Sequence, residues 1–284
     1  MRCHPFLYLR VMLRYRRKLH KWPNLSNPVT FCEKVQWLKV YYRNPLYTRL
    51  ADKAAVKSYV DEILGPGYTI PTYGVYKSSS EIDWDSFPES FVLKCTHDSG
   101  GIRICKDKAS FDKKEASRFL DKRLRRDYSR HKAEWGYKDI PHRIIAEAYI
   151  PNSDTSIQPG LIDYKFWCFD GKPYYIMVCL GRHKGHAKYY FHDLDWNFIR
   201  FNHNGLDAPA DFSIPRPENL DEMCRIATKL CQGFPHIRVD LYNTGGKVLF
   251  SEMTFFHKSG IDPDLLPETD KRLGELYHLP ERNY

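Results

Sequence analysis

From residue 143 onward, apolar and polar positions alternate in short runs separated by glycine turns, the period-two pattern of half-buried strands. "RIIAEAYI" (143–150) reads as one strand. "DYKFWCFDGKPYYIMVCL" (163–180) reads as a hairpin turning at Asp170-Gly171, and "HIRVDLYNTGGKVLFSEMTFF" (236–256) as another turning within Asn243–Gly246. Between the hairpins Pro217 opens a helix whose Leu220, Met223, Ile226, Ala227 and Leu230 share one face, and Gly233 closes it. The first half has a different rhythm. Residues 29–64 are helical with a break at Pro45. Trp37, Leu38, Tyr41 and Tyr42 form one stripe, Leu50, Ala54, Val56, Tyr59, Val60 and Ile63 another, and Gly65-Pro66-Gly67 ends the pattern. "YTIPTYGVY" (68–76) is a short strand with a turn. Residues 110–128 predict a helix capped by Ser110, with Phe111, Phe119, Leu120 and Leu124 inward and a basic outer face. The expected class is α+β with mostly antiparallel sheets.

Composition narrows the field. A chain of 284 residues with 42% hydrophobic content can bury a sizeable core, and no apolar run is long enough to span a bilayer. Its eight cysteines form neither a C-x-x-C pair nor a zinc-finger spacing, which points to a reduced, cytoplasmic protein. The net charge of +9 is concentrated at one end. Residues 1–22 carry Arg2, Arg10, Arg14, Arg16, Arg17, Lys18 and Lys21 and no acid, while the remainder is nearly neutral. A nearly neutral body argues against nucleic acid as a partner. The basic stretch also contains Phe6, Leu7, Leu9, Val11, Met12, Leu13 and Leu19, so it reads as an amphipathic helix. Such a helix either docks on the body or makes peripheral contact with the inner face of a membrane.

Three stretches carry chemistry. Asp240 and Glu252 lie on opposite arms of the last hairpin, where their side chains can share a face. Arg238, two residues before Asp240, points the same way. Two carboxylates and a guanidinium on one surface suit a hard cation and phosphate oxygens, and they equally suit a surface ion pair. "FVLKCTHDSGG" (91–101) ends a strand in Lys94 and continues as a glycine-rich turn whose backbone amides can cradle phosphate. It matches neither the Walker loop nor G-x-G-x-x-G, and an ordinary hairpin loop explains it locally. Glu147 sits in the middle of the 143–150 strand, where a carboxylate and backbone groups can meet the amino edge of adenine, although a buried strand with one edge-facing glutamate explains it locally. The histidines of "RHKGHAKYYFH" (182–192) have no carboxylate tied to them, and "DLDWN" (193–197) reads as an Asx-capped turn.

The order Lys53, Lys94 with its glycine loop, Glu147, Arg238-Val-Asp240, Glu252 resembles the ATP-grasp superfamily. "WPNLSNPVTFCEKVQWLKVYYRNPLYTRLADK", "FVLKCTHDSGG", "DYKFWCFDGKP", "DLDWN" and "FPHIRVDLYNTGGKVLFSEMTFF" are similar, more narrowly, to the TupA-like ATP-grasp family of bacterial capsule and teichuronopeptide synthesis. The resemblance runs from about residue 22 to 280. It implies an ATP-grasp fold, with a helical segment over 1–64, a lid subdomain over 65–150 and a second subdomain over 151–284. It also implies ATP and Mg²⁺ as cofactors and a carboxylate–amine ligation. The partners would be a uronic acid or carboxylate-bearing glycan and an amine such as an amino acid. In this resemblance Lys53 and Lys94 contact the nucleotide phosphates. His97, Asp98, Ser99, Gly100 and Gly101 form the lid, and Glu147 with the backbone at Tyr149 receives adenine. Lys165, Arg182 and Arg238 neutralise the transferred phosphoryl group, and Asp240 and Glu252 hold Mg²⁺. Where many ATP-grasp enzymes have Asn two residues after the metal glutamate, this chain has Thr254, a neutral and shorter oxygen ligand. A glycosyltransferase of the same pathway is the alternative, with "DLDWN" as its only candidate sugar-nucleotide fragment, and a non-catalytic nucleotide-binding scaffold is a third reading.

Overall fold

The computed structural model describes residues 5–152, 157–158, 160–181, 185 and 187–284. The chain divides into two compact units, one formed by residues 1–44 and 152–284 and the other by 45–151. The helical segment expected over 1–64 is thus shared between them. Pro45, which cannot donate into a helix, stands at the division.

In the first unit, helix α1 (Pro5–Leu19) packs on helix α2 (Phe31–Tyr41). Thr30 starts α2 through a capping box with Glu33, in which each side chain accepts from the other residue's backbone amide. In the second unit follow α3 (Leu46–Ala51), α4 (Ala55–Leu64), β1 (Thr72–Tyr76), β2 (Phe91–Cys95) and β3 (Ile102–Cys105). Then come α5 (Lys113–Leu124), α6 (Tyr128–Lys132) and β4 (Ile144–Ala148). The cap of α5 is Asp112, whose carboxylate accepts from the Glu115 amide, and not Ser110 as the sequence suggests. Ser110 bonds Asp107 instead at 2.7 Å, closing a local turn, and the cap lies two residues later.

The four strands of this unit pair antiparallel in the order β1-β4-β2-β3. Phe91, Leu93 and Cys95 alternate onto the face that also holds Ile144, Ala146 and Cys105, and Leu120 of α5 closes the core over them. The opposite face carries Val92, Lys94, Ile145 and Glu147, with Ile102 and Ile104 39% and 49% exposed at its edge.

The remaining elements belong to the first unit. They are β5 (Asp163–Phe169), β6 (Lys172–Leu180), β7 (Lys188–His192), β8 (Phe198–Ile199), α7 (His203–Leu206), α8 (Leu220–Leu230), β9 (His236–Thr244), β10 (Lys247–Thr254) and α9 (Pro267–Glu275). The sheet order is β10-β9-β5-β6-β7-β8, again antiparallel at every pair. Both expected hairpins are present. They turn at Asp170-Gly171 and Gly245-Gly246, with positive φ at all four positions, as the tight turns matching strand twist require.

Every residue of β5 is buried, because α8 covers one face and an aromatic layer covers part of the other. Phe31, Trp167, Phe169 and His236 form that layer, with ring centroids 4.8–6.5 Å apart. Further along the same strands the face changes character. Phe169 and Trp167 give way to Lys165 on β5, and His236 to Arg238 and Asp240 on β9. Cys32, Cys95, Cys105, Cys168, Cys179, Cys224 and Cys231 are free thiols.

Burial places two neutral histidines in this sheet. Desolvation lowers His192 to about 4 and His236 to about 3, against an ordinary value of 6.5. The unfolded chain therefore takes up protons that the native state refuses, so this stability is complete above pH 6.5 and is lost as the pH falls toward 3. Urea unfolding should give a lower midpoint at pH 4.5 than at pH 7, with a loss of roughly 3 kcal/mol for His192 and roughly 5 kcal/mol for His236 over the full window. Equal midpoints at the two pH values would contradict the neutral burial of both rings.

Candidate active site

The charged end of the first unit's sheet is built by three adjacent strands. Asp240 pairs in register with Lys165 on one side and Glu252 on the other, and Arg238 pairs with Trp167 and Thr254. A register shift between Phe250 and Glu252 brings Glu252 opposite Asp240. The five residues meet as side chains. Arg238 donates from Nε and Nη2 to the two oxygens of Asp240 at 2.6 and 2.7 Å, a bidentate fork. Nη2 also reaches Glu252 Oε1 at 3.1 Å and Thr254 Oγ1 at 3.0 Å. Lys165 bonds the same Asp240 carboxylate and lies 3.6 Å from Asp163.

Burial alone would raise the Asp240 carboxyl, but the Arg238 guanidinium and the Lys165 ammonium outweigh it and hold the group at about 2. Arg238 is equally committed to its charged form. Burial opposes that charge, and Asp240 and Glu252 overcome the opposition. The pairing leaves Glu252 the exposed member, with 47% of its side chain in solvent against none for Asp240.

A further group, which sequence reading misses, sits behind the arginine. Arg238 Nη1 donates to His257 Nδ1 at 2.7 Å, and His257 Nε2 lies 2.9 Å from Asp262. An arginine can only donate, so Nδ1 is the acceptor and the ring proton rests on Nε2, facing the carboxylate. Burial holds His257 at about 4 despite Asp262, so it stays neutral at neutral pH. Burial would also raise Asp262, yet His257 and Lys258 (2.8 Å) keep it below the usual carboxylate range. Nothing local in "TFFHKSGID" signals this chain of contacts, because its members fold back on β9 only after the turn at Phe256–Gly260.

The second unit holds a separate cluster. Glu147 on β4 is 4% exposed and is bracketed by Lys57 of α4 and Lys94 of β2, the latter at 2.7 Å. Burial would raise its carboxyl, but the two ammonium groups lower it below the ordinary range. Lys57 carries no signal in the sequence because its carboxylate partner lies far along the chain. It is tied as well to Ile70 O at 2.5 Å and Thr72 Oγ1 at 2.7 Å. Tyr149 follows the end of β4, with the Lys106 ammonium 5.8 Å from its ring centre.

The glycine loop is anchored over its first half. Thr96 exchanges backbone and hydroxyl bonds with Pro141 and Arg143, and His97 stacks on His142 at 3.7 Å. Asp98 is buried against Arg123 at 2.5 Å, and its backbone carbonyl accepts from Lys53. Arg123 also holds the Ser99 carbonyl at 2.8 Å. Gly101 has its own reason to be glycine, since a Cβ there would lie 2.5 Å from the Asp98 carboxylate. Only Ser99 and Gly100 of residues 97–101 are exposed, and Gly100 has φ +86°. Arg123, like Lys57, is a partner that the sequence pattern does not single out.

Arg182, His183 and His186 lie outside the described residues. "DLDWN" is a closed Asx turn: the Asp193 carboxylate accepts from the Asn197 amide at 2.8 Å and from its side chain at 2.9 Å. Among the described residues no three His, Cys, Asp or Glu side chains gather as a metal cluster. The donors at the sheet end nevertheless fit Mg²⁺, which binds through one or two carboxylates and completes its shell with water and phosphate oxygens. Asp240 and Glu252 are ionisable oxygen donors in register, and Thr254 adds a hydroxyl beside them.

A family model described as TupA-like ATPgrasp matches residues 33–278. No curated protein sequence matches the chain. Among solved structures, it is similar to D-alanine-D-alanine ligase from Helicobacter pylori, at 14% identity and a TM-score of 0.45 over 83% of this chain and 60% of that one. It is similar to the enzyme of the same name from Bacillus anthracis, described as complexed with ATP, at 16% identity and a TM-score of 0.44 over 81% and 63%. A RimK domain protein ATP-grasp from Sphaerobacter thermophilus follows at 11% and 0.42 over 89% and 72%. The chain thus spans under two thirds of the length of both D-alanine-D-alanine ligases.

The Lys57–Glu147–Lys94 cluster makes a direct prediction. Glu147→Gln leaves two partly buried ammonium groups without their carboxylate and should cost about 3 kcal/mol of stability, read from the urea midpoint. Adding Lys94→Met should recover part of that loss. No loss in the single variant would show the cluster to be energetically idle.

Proposed function

The chain belongs to the TupA-like ATP-grasp family, and from that membership we propose that it is a carboxylate–amine ligase forming an amide through an acyl phosphate. ATP-grasp enzymes are ATP-dependent ligases that work with Mg²⁺, and the chain is one of them. The observation that carries the reading is the charge set on one sheet face: Lys165 bonded to Asp240, and Arg238 bonded to Asp240, Glu252 and Thr254.

The chemistry has two displacements. An oxygen of the acceptor carboxylate attacks the γ-phosphorus of ATP, and the bond to the β–γ bridging oxygen breaks, so ADP leaves with the electron pair. The amine nitrogen then attacks the acyl carbon, the bond to the phosphate oxygen breaks, and inorganic phosphate leaves with that pair while the amine proton passes to solvent or a base. Neither step requires a side-chain nucleophile. The protein's task is to position the reactants and neutralise charge.

The roles follow from the residues present. Lys53 and Lys94 offer ammonium groups to the phosphates, and Ser99 and Gly100 are the exposed part of the loop that covers them. Glu147 and the backbone at Tyr149 receive the amino edge of adenine, beside the apolar surface of Val92, Ile102 and Ile104. Arg238 and Lys165 stabilise the transferred phosphoryl group, a task Arg182 shares. Asp240, Glu252 and Thr254 would hold Mg²⁺, which neutralises phosphate oxygens when bound. His257 keeps the Arg238 fork aimed by accepting from its third nitrogen. The acceptor is a uronic acid of a surface polysaccharide or its precursor and the amine is an amino acid, supported by the capsule and teichuronopeptide setting of the family this chain resembles. The reaction consumes ATP and is placed in the cytoplasm.

Purified protein given ATP, Mg²⁺, a panel of uronic acids and a panel of amino acids should form ADP together with a product of amide mass. Lys94→Ala and Asp240→Asn should each lower ADP formation by at least about 100-fold, with folding checked by thermal unfolding. Undiminished ADP formation in both folded variants would contradict the reading.

A further inference from the structure

Helix α1 has two apolar stripes on opposite sides, one buried among the described residues and the other largely exposed. Val11 and Tyr15 are 2% and 0% exposed and pack toward α2. Phe6, Leu9 and Leu13, spaced by three and four residues, are 78%, 55% and 51% exposed. At 100° per residue the two sets point roughly 180° apart around the helix axis. Docking on α2 accounts for the first stripe and leaves the second facing solvent. Trp22, just beyond the helix, is also 56% exposed.

Charge identifies what fits the open stripe. Arg16 lies on one side of Phe6, Leu9 and Leu13, and Arg10 and Arg17 lie on the other, all three exposed. Lys18 and Lys21 continue the exposed basic surface, and residues 1–22 contain no acid to offset it. A second copy of the chain would bring two such sets of cations together without a carboxylate between them. A nucleic acid would satisfy the cations and leave the phenylalanine and leucines in water. A bilayer surface with anionic headgroups satisfies both, because it offers an apolar layer directly beneath a negative one. No helix among the described residues is long and apolar enough to cross a membrane, so the contact is with one face only.

We propose that α1 is a surface-seeking helix that binds the enzyme peripherally to an anionic membrane through Phe6, Leu9 and Leu13, flanked by Arg10, Arg16 and Arg17. Val11 and Tyr15 keep the helix fixed to the body, so the whole first unit is carried to the lipid. This inference stands on α1 alone and does not require the ligase reading.

The test uses the full chain and vesicles of phosphatidylcholine, with and without about 30 mol% phosphatidylglycerol. Sedimentation should show binding to the anionic vesicles, little binding to neutral ones, and release at high salt. A Phe6→Gln, Leu9→Gln, Leu13→Gln variant and, separately, an Arg10→Glu, Arg17→Glu variant should each weaken partitioning by at least about tenfold. Circular dichroism and the thermal midpoint should be unchanged, since all five side chains are exposed in the native state. Three outcomes overturn the proposal: equal binding of wild type and the folded glutamine variant, binding that ignores lipid charge, or a dimer in size-exclusion chromatography that the glutamine variant dissolves while vesicle binding stays absent.

Discussion

Arg238 donates to Asp240 at 2.6 and 2.7 Å, to Glu252 at 3.1 Å, to Thr254 at 3.0 Å and to His257 at 2.7 Å. Few side chains could join four partners in this way, and the rest of the first unit's charged face is arranged around it. Asp240 without a cation would be a buried charge of prohibitive cost, and two carboxylates in register would repel. The guanidinium answers both problems and leaves Glu252 partly exposed. Its planar fork matters more than its charge, since Lys165 already supplies an ammonium to the same carboxylate.

The way the sheet supports this cluster follows from strand periodicity. A single face of β5 and β9 runs from an aromatic layer of Phe31, Trp167, Phe169 and His236 into Lys165, Arg238 and Asp240. The apolar end is closely packed and fixes the strands. The charged end inherits that rigidity, so its side chains are held in place by the packing beneath them. In the second unit the division runs between faces instead: one buries Phe91, Leu93 and Ile144 under α5, while the other presents Lys94 and Glu147.

Much of this was legible in the amino-acid order, for reasons that differ by element. The two hairpins announced themselves through period-two alternation and glycine turns, and the Arg238–Asp240–Glu252 set followed from counting along their arms. The family resemblance extends that over about residues 22 to 280, and the family model matches 33–278. What escaped were partners supplied across long sequence distances. Lys57 on Glu147, Arg123 on Asp98, and His257 with Asp262 behind Arg238 are contacts made by tertiary packing, and no local spacing encodes them. The Ser110 cap failed for the opposite reason. Two nearby polar residues competed for the same helix start, and Asp112 won because Ser110 was already bonded to Asp107. The glycine loop was visible as a loop, but its inward-turned Asp98 was not.

A carboxylate activated by ATP in the proposed reaction is an acyl phosphate. Hydroxylamine intercepts such a species, so the decisive measurement is nucleotide and hydroxamate analysis after incubating the enzyme with ATP, Mg²⁺, the uronic acid panel and hydroxylamine without an amine substrate. ADP and a uronic hydroxamate should form in equal amounts. Release of AMP and pyrophosphate, or consumption of ATP with no hydroxamate from any carboxylate, would contradict the proposed reaction.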